Sequence, residues 1–290
     1  MAIEYLGLSN INGPLVVLEG IQDAFFDEIV EFVVEGSTRK MGRIVELDED
    51  KAIIQVFEGT ENMSLTNTHT KLTGHPMEVA VSPDMLGRTF NGIGEPIDGL
   101  GPITSTDRRD VNGLPLNPVR REYPRNYIRT GISAIDGLTT LIRGQKLPIF
   151  SGNGLPHDQL AAQIVKQASL GDNAEGEFAV VFGAMGVKHD VAEFFQKTFE
   201  ESGVSDHVCM FLNLANDPVV ERLITPKVAL TVAEYLAFEC NMHILVCLLY
   251  TSESAVHRPA EYRIHRGDRL WNGAEYTGDA VPYHQCYTGA

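Results

Sequence analysis

The first part of the chain alternates short apolar runs with turn-forming residues. Gly13 and Pro14 precede the first run, and the acidic stretch 48–50 separates two later ones. The runs are rich in Val and Ile and cover residues 15–18, 28–33, 41–47 and 52–57. Several short strands at this spacing predict a small closed or Greek-key β-barrel. We therefore assign residues 1–74 to an all-β N-terminal domain.

Residues 75–145 follow no regular hydrophobic period. This part is dense in turn formers, among them Ser82-Pro83, Asn91-Gly92 and Asp98-Gly99. The pattern predicts a long ordered connection. A connection of this length usually carries function or wraps around a neighbouring domain.

From Lys146 onwards, apolar strands alternate with amphipathic helices. Strands are predicted at 147–150, 178–182, 208–212 and 243–249, and helices at about 158–168 and 190–202. A third helix is predicted to start at Thr225, as N-cap, with Pro226 at its first position. Apolar strands between amphipathic helices predict a parallel sheet covered on both faces. The fold class is therefore α/β with an all-β N-terminal domain.

The charge balance narrows the classes of partner. The chain has 290 residues, 23 Lys and Arg against 39 Asp and Glu, and a formal net charge of −16. This balance argues against nucleic-acid binding and against direct adhesion to anionic lipid, because both need a basic face. No apolar stretch approaches the roughly 20 residues of a membrane span, and the first ten residues lack a secretory pattern.

The cysteines and histidines form no motif for metal binding. The four cysteines, Cys209, Cys240, Cys247 and Cys286, contain no CxxC pair. Two of them lie inside apolar strands, which predicts buried small hydrophobic residues in a reducing compartment. The histidines at 257, 265 and 284 do not have the spacing of metal ligands. We predict no metal site.

A Gly-rich loop follows the first predicted strand of the parallel sheet, where ligands of such sheets bind. A phosphate-binding loop GxxxxGK[ST] uses backbone N–H groups, a Lys and a hydroxyl that holds Mg²⁺. Here Pro156, His157 and Asp158 replace the final Gly, the Lys and the hydroxyl residue. We expect no phosphoryl-transfer chemistry here, because both the cation and the Mg²⁺ ligand are missing. The candidate cofactor-binding residues of this degenerate loop are Gly152, Asn153, Gly154, Leu155, Pro156 and His157. The alternative is that its glycines only form a tight turn.

Several longer strings carry a resemblance to a known family. They are TGISAID at 130–136, RGQKLPIFSGNGLPH at 143–157 and NLANDP at 213–218. With further matching stretches over about residues 1–248, the chain resembles the beta chain of the V/A-type rotary ATPases and ATP synthases of archaea and bacteria. The resemblance implies a β-barrel, a RecA-like domain of the P-loop NTPase type and a C-terminal helical bundle.

The resemblance also implies a role in a large complex. Such beta chains alternate with catalytic A subunits in a hexameric head, which a central shaft and peripheral stalks connect to a membrane ring. The head couples ATP turnover to H⁺ or Na⁺ transport on the cytoplasmic side of the membrane. ATP or ADP would bind weakly at the interface between neighbouring chains, and this chain would not hold Mg²⁺.

One further substitution, relative to the catalytic relatives, joins the degenerate loop in predicting a non-catalytic, regulatory role. Val187 stands where those relatives have a Glu that polarises water, and an aliphatic side chain cannot do so. Tyr250 departs from the pattern of the family itself, which implies an Asp of the magnesium site at this strand end. The alternative of a self-sufficient RecA-like ring ATPase requires a Lys at position 157.

The resemblance stops near the end of the last apolar strand. We assign residues 75–249 to an incomplete RecA-like domain without the helical bundle, and predict that 250–290 is an atypical tail, artefactual or disordered. The strand at 244–249 would then lie at or near an unprotected sheet edge. A truncated fragment that does not assemble is the remaining alternative.

Overall fold

Antiparallel strands build the N-terminal region. The computed structural model describes residues 4–34, 39–113, 119, 126–152, 154–170 and 176–250, and the backbone of 283–289. The strands of the first region are β1 Glu4–Leu6, β2 Asn10–Asn12, β3 Leu15–Glu19, β4 Glu28–Val34, β5 Lys40–Asp48, β6 Lys51–Val56 and β7 Thr68–Pro76. Within the described residues they form one sheet in the order β1-β7-β4-β5-β6-β3-β2.

One continuous segment closes this sheet into a barrel. Strand β1 pairs with β7, and β2, a few residues later, pairs with β3 at the opposite edge. Between them the amide of Leu8 donates to the carbonyl of Leu65, and the amide of Ser9 donates to Val17. Alternate residues such as Val16, Phe32 and Ile54 point inward and are fully buried. The predicted small barrel is therefore confirmed.

The region after the barrel contains more regular structure than the sequence pattern predicts. Strand β8, Glu78–Ala80, pairs with β10, Arg108–Asp110, and β9, Thr89–Asn91, joins the central sheet beside a strand that begins at Val208. The prediction of an irregular connection is wrong for these residues. Their strands have three residues each, too few for a hydrophobic period to show.

The central sheet is mainly parallel. The elements of this part of the chain are, in order, β11 Tyr127–Arg129, α1 Ser133–Leu138, β12 Leu141–Ile142, β13 Lys146–Phe150, α2 His157–Gln167, β14 Ser169–Leu170, β15 Phe178–Val187, α3 His189–Ser202, β16 Val208–Leu214, α4 Val219–Phe238, β17 His243–Tyr250 and β18 Tyr283–Gly289. Within the described part of the chain, strand β14 pairs with β11 and not with the central sheet. The described strands follow the order β13-β18-β17-β15-β16-β9, and β9, β16, β15 and β17 are mutually parallel. The predicted α/β class is confirmed.

Helices cover both faces of this sheet. Helices α2 and α3 pack on one face, where the Phe182 and Phe195 rings lie 4.6 Å apart. Helix α4 packs on the other face. Gly183 makes room for the neighbouring strand, because a Cβ there would lie 2.9 Å from Leu248 Cδ2, whereas Ala229 of α4 would be at an ordinary contact distance of 3.7 Å. In the part of the chain that the structure describes, no helix combines the length and apolar character needed to cross a membrane.

Helix α4 begins earlier than predicted. Thr225 and Pro226 are not its N-cap and first residue, because the helix starts at Val219 and contains Pro226 in its interior. The buried side chains of Val220 and Ile224 extend the apolar stripe towards the N-terminus. Thr225 Oγ1 donates to the carbonyl of Glu221 at 2.9 Å, a backbone-directed bond typical of Thr inside a helix. Burial of the apolar residues before Thr225 therefore stabilises the helix more than the Thr225-Pro226 start signal limits it.

The sheet continues beyond β17. Strand β18 pairs antiparallel with β17 along its length and with β13 on its other side. Strand β17 therefore has a neighbour on each side, and the prediction that it lies at or near an unprotected edge is wrong. Of the predicted atypical tail, residues 251–282 and 290 lie outside the described residues.

An ion pair fixes strand β9 against the sheet. The Arg88 guanidinium donates from both Nε and Nη2 to the Asp98 carboxylate, and Nη2 also donates to the Gly101 carbonyl. The carbonyl of Arg88 accepts from the amide of Met210, which starts the pairing with β16. Both charged side chains are largely buried, and the hydrogen bond from Arg88 lowers the pKa of Asp98 to about 2.

We expect Asp98→Asn to destabilise the fold by about 2 kcal/mol at pH 7, because the carboxylate is bound better in the folded chain than in the unfolded one. A lowered folded-state pKa gives stability that is present above about pH 4 and is lost as the pH falls through about 2. The difference between wild type and variant should therefore vanish near pH 2. Denaturant unfolding between pH 2 and 7 measures it.

The matched control is Glu201→Gln, which breaks the exposed pair of Lys197 and Glu201 on α3. Exposed pairs contribute little, so this variant should unfold within about 0.5 kcal/mol of wild type. Equal effects of the two substitutions at pH 7 would contradict the importance of the Arg88–Asp98 pair.

Candidate functional site

The loop predicted as a degenerate phosphate site lies where β13 ends and α2 begins. The structure describes five of the six predicted residues; Asn153 lies outside the described residues. Helix α2 starts at His157, and Pro156 occupies its N-cap position without a side-chain cap. The strand–loop–helix arrangement thus has the architecture that places phosphates at a helix N-terminus in other proteins.

Three described positions of this loop, 155–157, offer no backbone amide to a phosphate. The amide of Leu155 donates to the carbonyl of Gly152 at 3.3 Å, and the amide of His157 donates to Leu155 at 2.8 Å. Pro156, between them, has no N–H. Positions 155–157 therefore present no amide to a ligand, whereas a phosphate loop directs successive amides at the anion.

The side chains at the start of α2 also disfavour an anion. The His157 ring lies 3.4 Å by its Nδ1 from Ser151 Oγ and 3.8 Å by its Nε2 from Asp158 Oδ1. Burial, together with the charge of Asp190, raises the pKa of Asp158, while His157 acts to lower it. The carboxylates of Asp158 and Asp190 therefore already lie near the N-terminus of α2. They would repel the negative charge of a triphosphate.

The ends of the neighbouring strands hold the other predicted positions. Val187 ends β15 and is 2% exposed within the core, so the position of the expected Glu is filled by packing. Beside it, Asn213 Oδ1 accepts from the amide of Gly186 at 3.3 Å and from Arg222 Nε at 2.9 Å. Tyr250 at the end of β17 lies opposite Met185. These strand ends carry an amide and a guanidinium but no water-polarising carboxylate at position 187.

Sequence reasoning missed Arg222. Its guanidinium also reaches the carbonyls of Leu214 and Ala215, each at 3.4 Å, and so connects the first turn of α4 to the end of β16. A correct start for α4 would have placed Arg222 in the first turn, facing the strand ends. Asp217 does not cap α4: its carboxylate accepts from the amide of Leu214 at 2.6 Å, and α4 begins without a side-chain cap.

A buried carboxylate lies next to this site. Glu221, in the first turn of α4, is 8% exposed. Burial, followed by the charges of Asp217, Glu58 and Glu95, raises the pKa of Glu221 to about 7. Glu58 comes from the barrel and Glu95 from the loop after β9, so this acidic cluster contains carboxylates of both the barrel and the region that follows it. Among the described residues, no group of three or more His, Cys, Asp or Glu is placed to hold a metal ion.

We expect Glu221→Gln to stabilise the protein by about 1–3 kcal/mol at pH 8, because a raised folded-state pKa means that the charged form is disfavoured by folding. The wild type loses this stability as the pH rises from about 4.5 to 7, and the variant does not. At pH 4.5 and below the two proteins should unfold alike. Urea unfolding at pH 4.5 and pH 8 provides the measurement.

The exposed Glu200 on α3 supplies the control, since Glu200→Gln removes the same charge at a solvated position. It should change stability by less than about 0.5 kcal/mol at either pH. A Glu221→Gln variant no more stable than wild type at pH 8 would contradict the burial argument.

Comparison with known proteins matches both folded regions. Residues 131–257 match the ATP synthase alpha/beta family, nucleotide-binding domain, and residues 8–74 match the beta-barrel domain of the same family. The first match ends beyond residue 248, where the resemblance in the sequence was predicted to stop.

Individual relatives are similar over the same part of the chain. A V-type ATP synthase beta chain of Halothermothrix orenii is 59% identical over 245 residues, 84% of this chain and 53% of the relative. V-type ATP synthase beta chain 2 of Clostridium tetani is 60% identical over 249 residues, 86% of this chain and 54% of the relative. An A-type ATP synthase chain of Aeropyrum pernix is 54% identical over 245 residues, 84% of this chain and 53% of the relative. The chain spans about half the length of these curated relatives.

Proposed function

Because the chain belongs to the ATP synthase alpha/beta family, among the V/A-type beta chains, we propose that it acts as a non-catalytic regulatory component of a rotary ATP synthase or ATPase. It alternates with catalytic A subunits in the head of that complex. The complex couples ATP synthesis or hydrolysis to the transport of H⁺ or Na⁺ across a membrane, and the head lies peripherally on its cytoplasmic side.

The observation that carries this proposal is the state of the loop at 151–158. Two of its amides are used within the loop, Pro156 supplies none, and Asp158 places a carboxylate at the start of α2. Phosphoryl transfer depends on cations and amides aimed at the phosphates. A protein with such a loop shapes the site of a neighbour rather than cleaving ATP itself.

The ligands follow from the same arrangement. ATP or ADP binds weakly, at the interface with a catalytic neighbour that supplies the missing phosphate contacts. This chain contributes no Mg²⁺ ligand of its own, since Asp158 and Tyr250 replace the hydroxyl and the carboxylate expected for the metal. The central shaft and the peripheral stalks are the further partners.

Two measurements on the purified chain test the role. Phosphate release from Mg-ATP should stay at background, and the chain should co-elute with a catalytic A subunit in size-exclusion chromatography. Turnover above background that His157→Ala abolishes would instead identify a self-sufficient ring ATPase. Failure to co-elute would identify a fragment that does not assemble.

Rebuilding the loop should create phosphate affinity. In the triple variant Pro156→Gly, His157→Lys and Asp158→Thr, an amide, a cation and a hydroxyl return to their places. We expect Mg-ATP to bind at least about tenfold more tightly than to wild type, a difference of about 1.4 kcal/mol. Isothermal titration calorimetry measures the affinity.

The matched control is Lys197→Ala on α3. Lys197 is exposed and lies about 40 residues after the loop in the sequence. It should leave nucleotide affinity unchanged. If the triple variant binds no better than wild type, the loop residues are not what limits phosphate binding.

A further inference from the structure

Two cysteines distant in sequence lie opposite one another in the central sheet. Cys247 is in β17 and Cys286 is in β18, and the antiparallel register of these strands makes them direct partners. The register is continuous around them, from Ile244 opposite Gly289 to Tyr250 opposite Tyr283. Cys247 is 1% exposed in the core beneath α2 and α3.

Direct partners on antiparallel strands have the separation that a disulfide requires. Their Cα atoms lie about 4.5 or 5.5 Å apart, depending on whether the pair is hydrogen-bonded. Disulfides span Cα separations of about 4.4–6.8 Å, so both kinds of pair fall within the range. The backbone register alone therefore brings these two residues within bridging distance.

We propose that Cys247 and Cys286 form a reversible cross-strand disulfide that fastens Tyr283–Gly289 into the sheet between β13 and β17. The bond adds a covalent link between two strands whose backbones are paired. It closes the chain between residues 247 and 286 into a covalent loop, which constrains the unfolded state. The pair is a thiol-modification site that depends on the fold and not on a sequence motif.

The oxidant is a low-molecular-weight disulfide such as oxidised glutathione. One cysteine thiolate attacks it, forms a mixed disulfide and releases one small thiol. The second cysteine thiolate then attacks the protein sulfur of that mixed disulfide and releases the second small thiol. Two protein S–H bonds are lost, one protein S–S bond is formed, and the small disulfide is reduced to two thiols.

The test uses the full chain with oxidised glutathione, under native conditions and in urea, followed by digestion without reduction and mass spectrometry. In the native chain, the linked peptides that contain Cys247 and Cys286 should exceed every other cysteine pairing by at least about tenfold, because the strand register holds this pair at bridging distance. In urea, the pairings should become mixed.

Variants test whether the disulfide depends on the strand register or on random collision of the thiols. Cys209 lies on β16 opposite Val181, and burial strongly raises the pKa of its thiol, so Cys209→Ser should leave the link intact. Cys286→Ser should abolish it. Gln285→Pro, which disrupts a strand paired on both sides, should reduce the link at least about tenfold, whereas Gln285→Ala should keep it.

Three outcomes would overturn the proposal. One is the absence of the Cys247–Cys286 link in native protein. Another is a native pattern of pairings identical to that in urea, which would mean that the register plays no part. The third is a link found only between two chains, seen as a covalent dimer in non-reducing electrophoresis, which would assign β18 to a second copy.

Discussion

The burial of β15 on every side is the constraint on which the rest of the structure depends. Its backbone pairs with β16 and β17, and its side chains are covered by α3 on one face and α4 on the other. A strand enclosed in this way tolerates almost no polar side chain, because an unpaired polar group inside a core costs several kcal/mol. The apolar Val187 at its end is consistent with that enclosure.

Helix α4 contacts both the strand ends of the central sheet and residues that lead to the barrel. Its first turn reaches the strand ends through Arg222 and the acidic cluster through Glu221, and its middle reaches the barrel region through Lys227. Lys227 Nζ donates to Asn112 at 2.9 Å, and Asn112 in turn donates to Asp27 of the barrel at 2.7 Å. A single rigid element thus relates the barrel to the edge of the sheet where the loop lies.

The loop and the strand ends both support the proposal of a non-catalytic chain, the loop through electrostatics and the strand ends through packing. At the loop, the amides of Leu155 and His157 are used internally, and the carboxylates of Asp158 and Asp190 disfavour an anion. At the strand ends, packing has replaced the carboxylate that would activate water. Both features support the proposal of a non-catalytic chain that binds nucleotide with the help of a neighbour, because phosphoryl transfer depends on such groups.

The sequence by itself determined the α/β class, the barrel and the missing cation at position 157, because these follow from hydrophobic periods and from side-chain chemistry that no fold can alter. Only the tertiary structure decided that β9 joins the parallel sheet, that α4 starts at Val219 and that positions 247 and 286 are partners on adjacent strands. Such features depend on pairing between residues far apart in the chain. Local propensity carries no information about those partners.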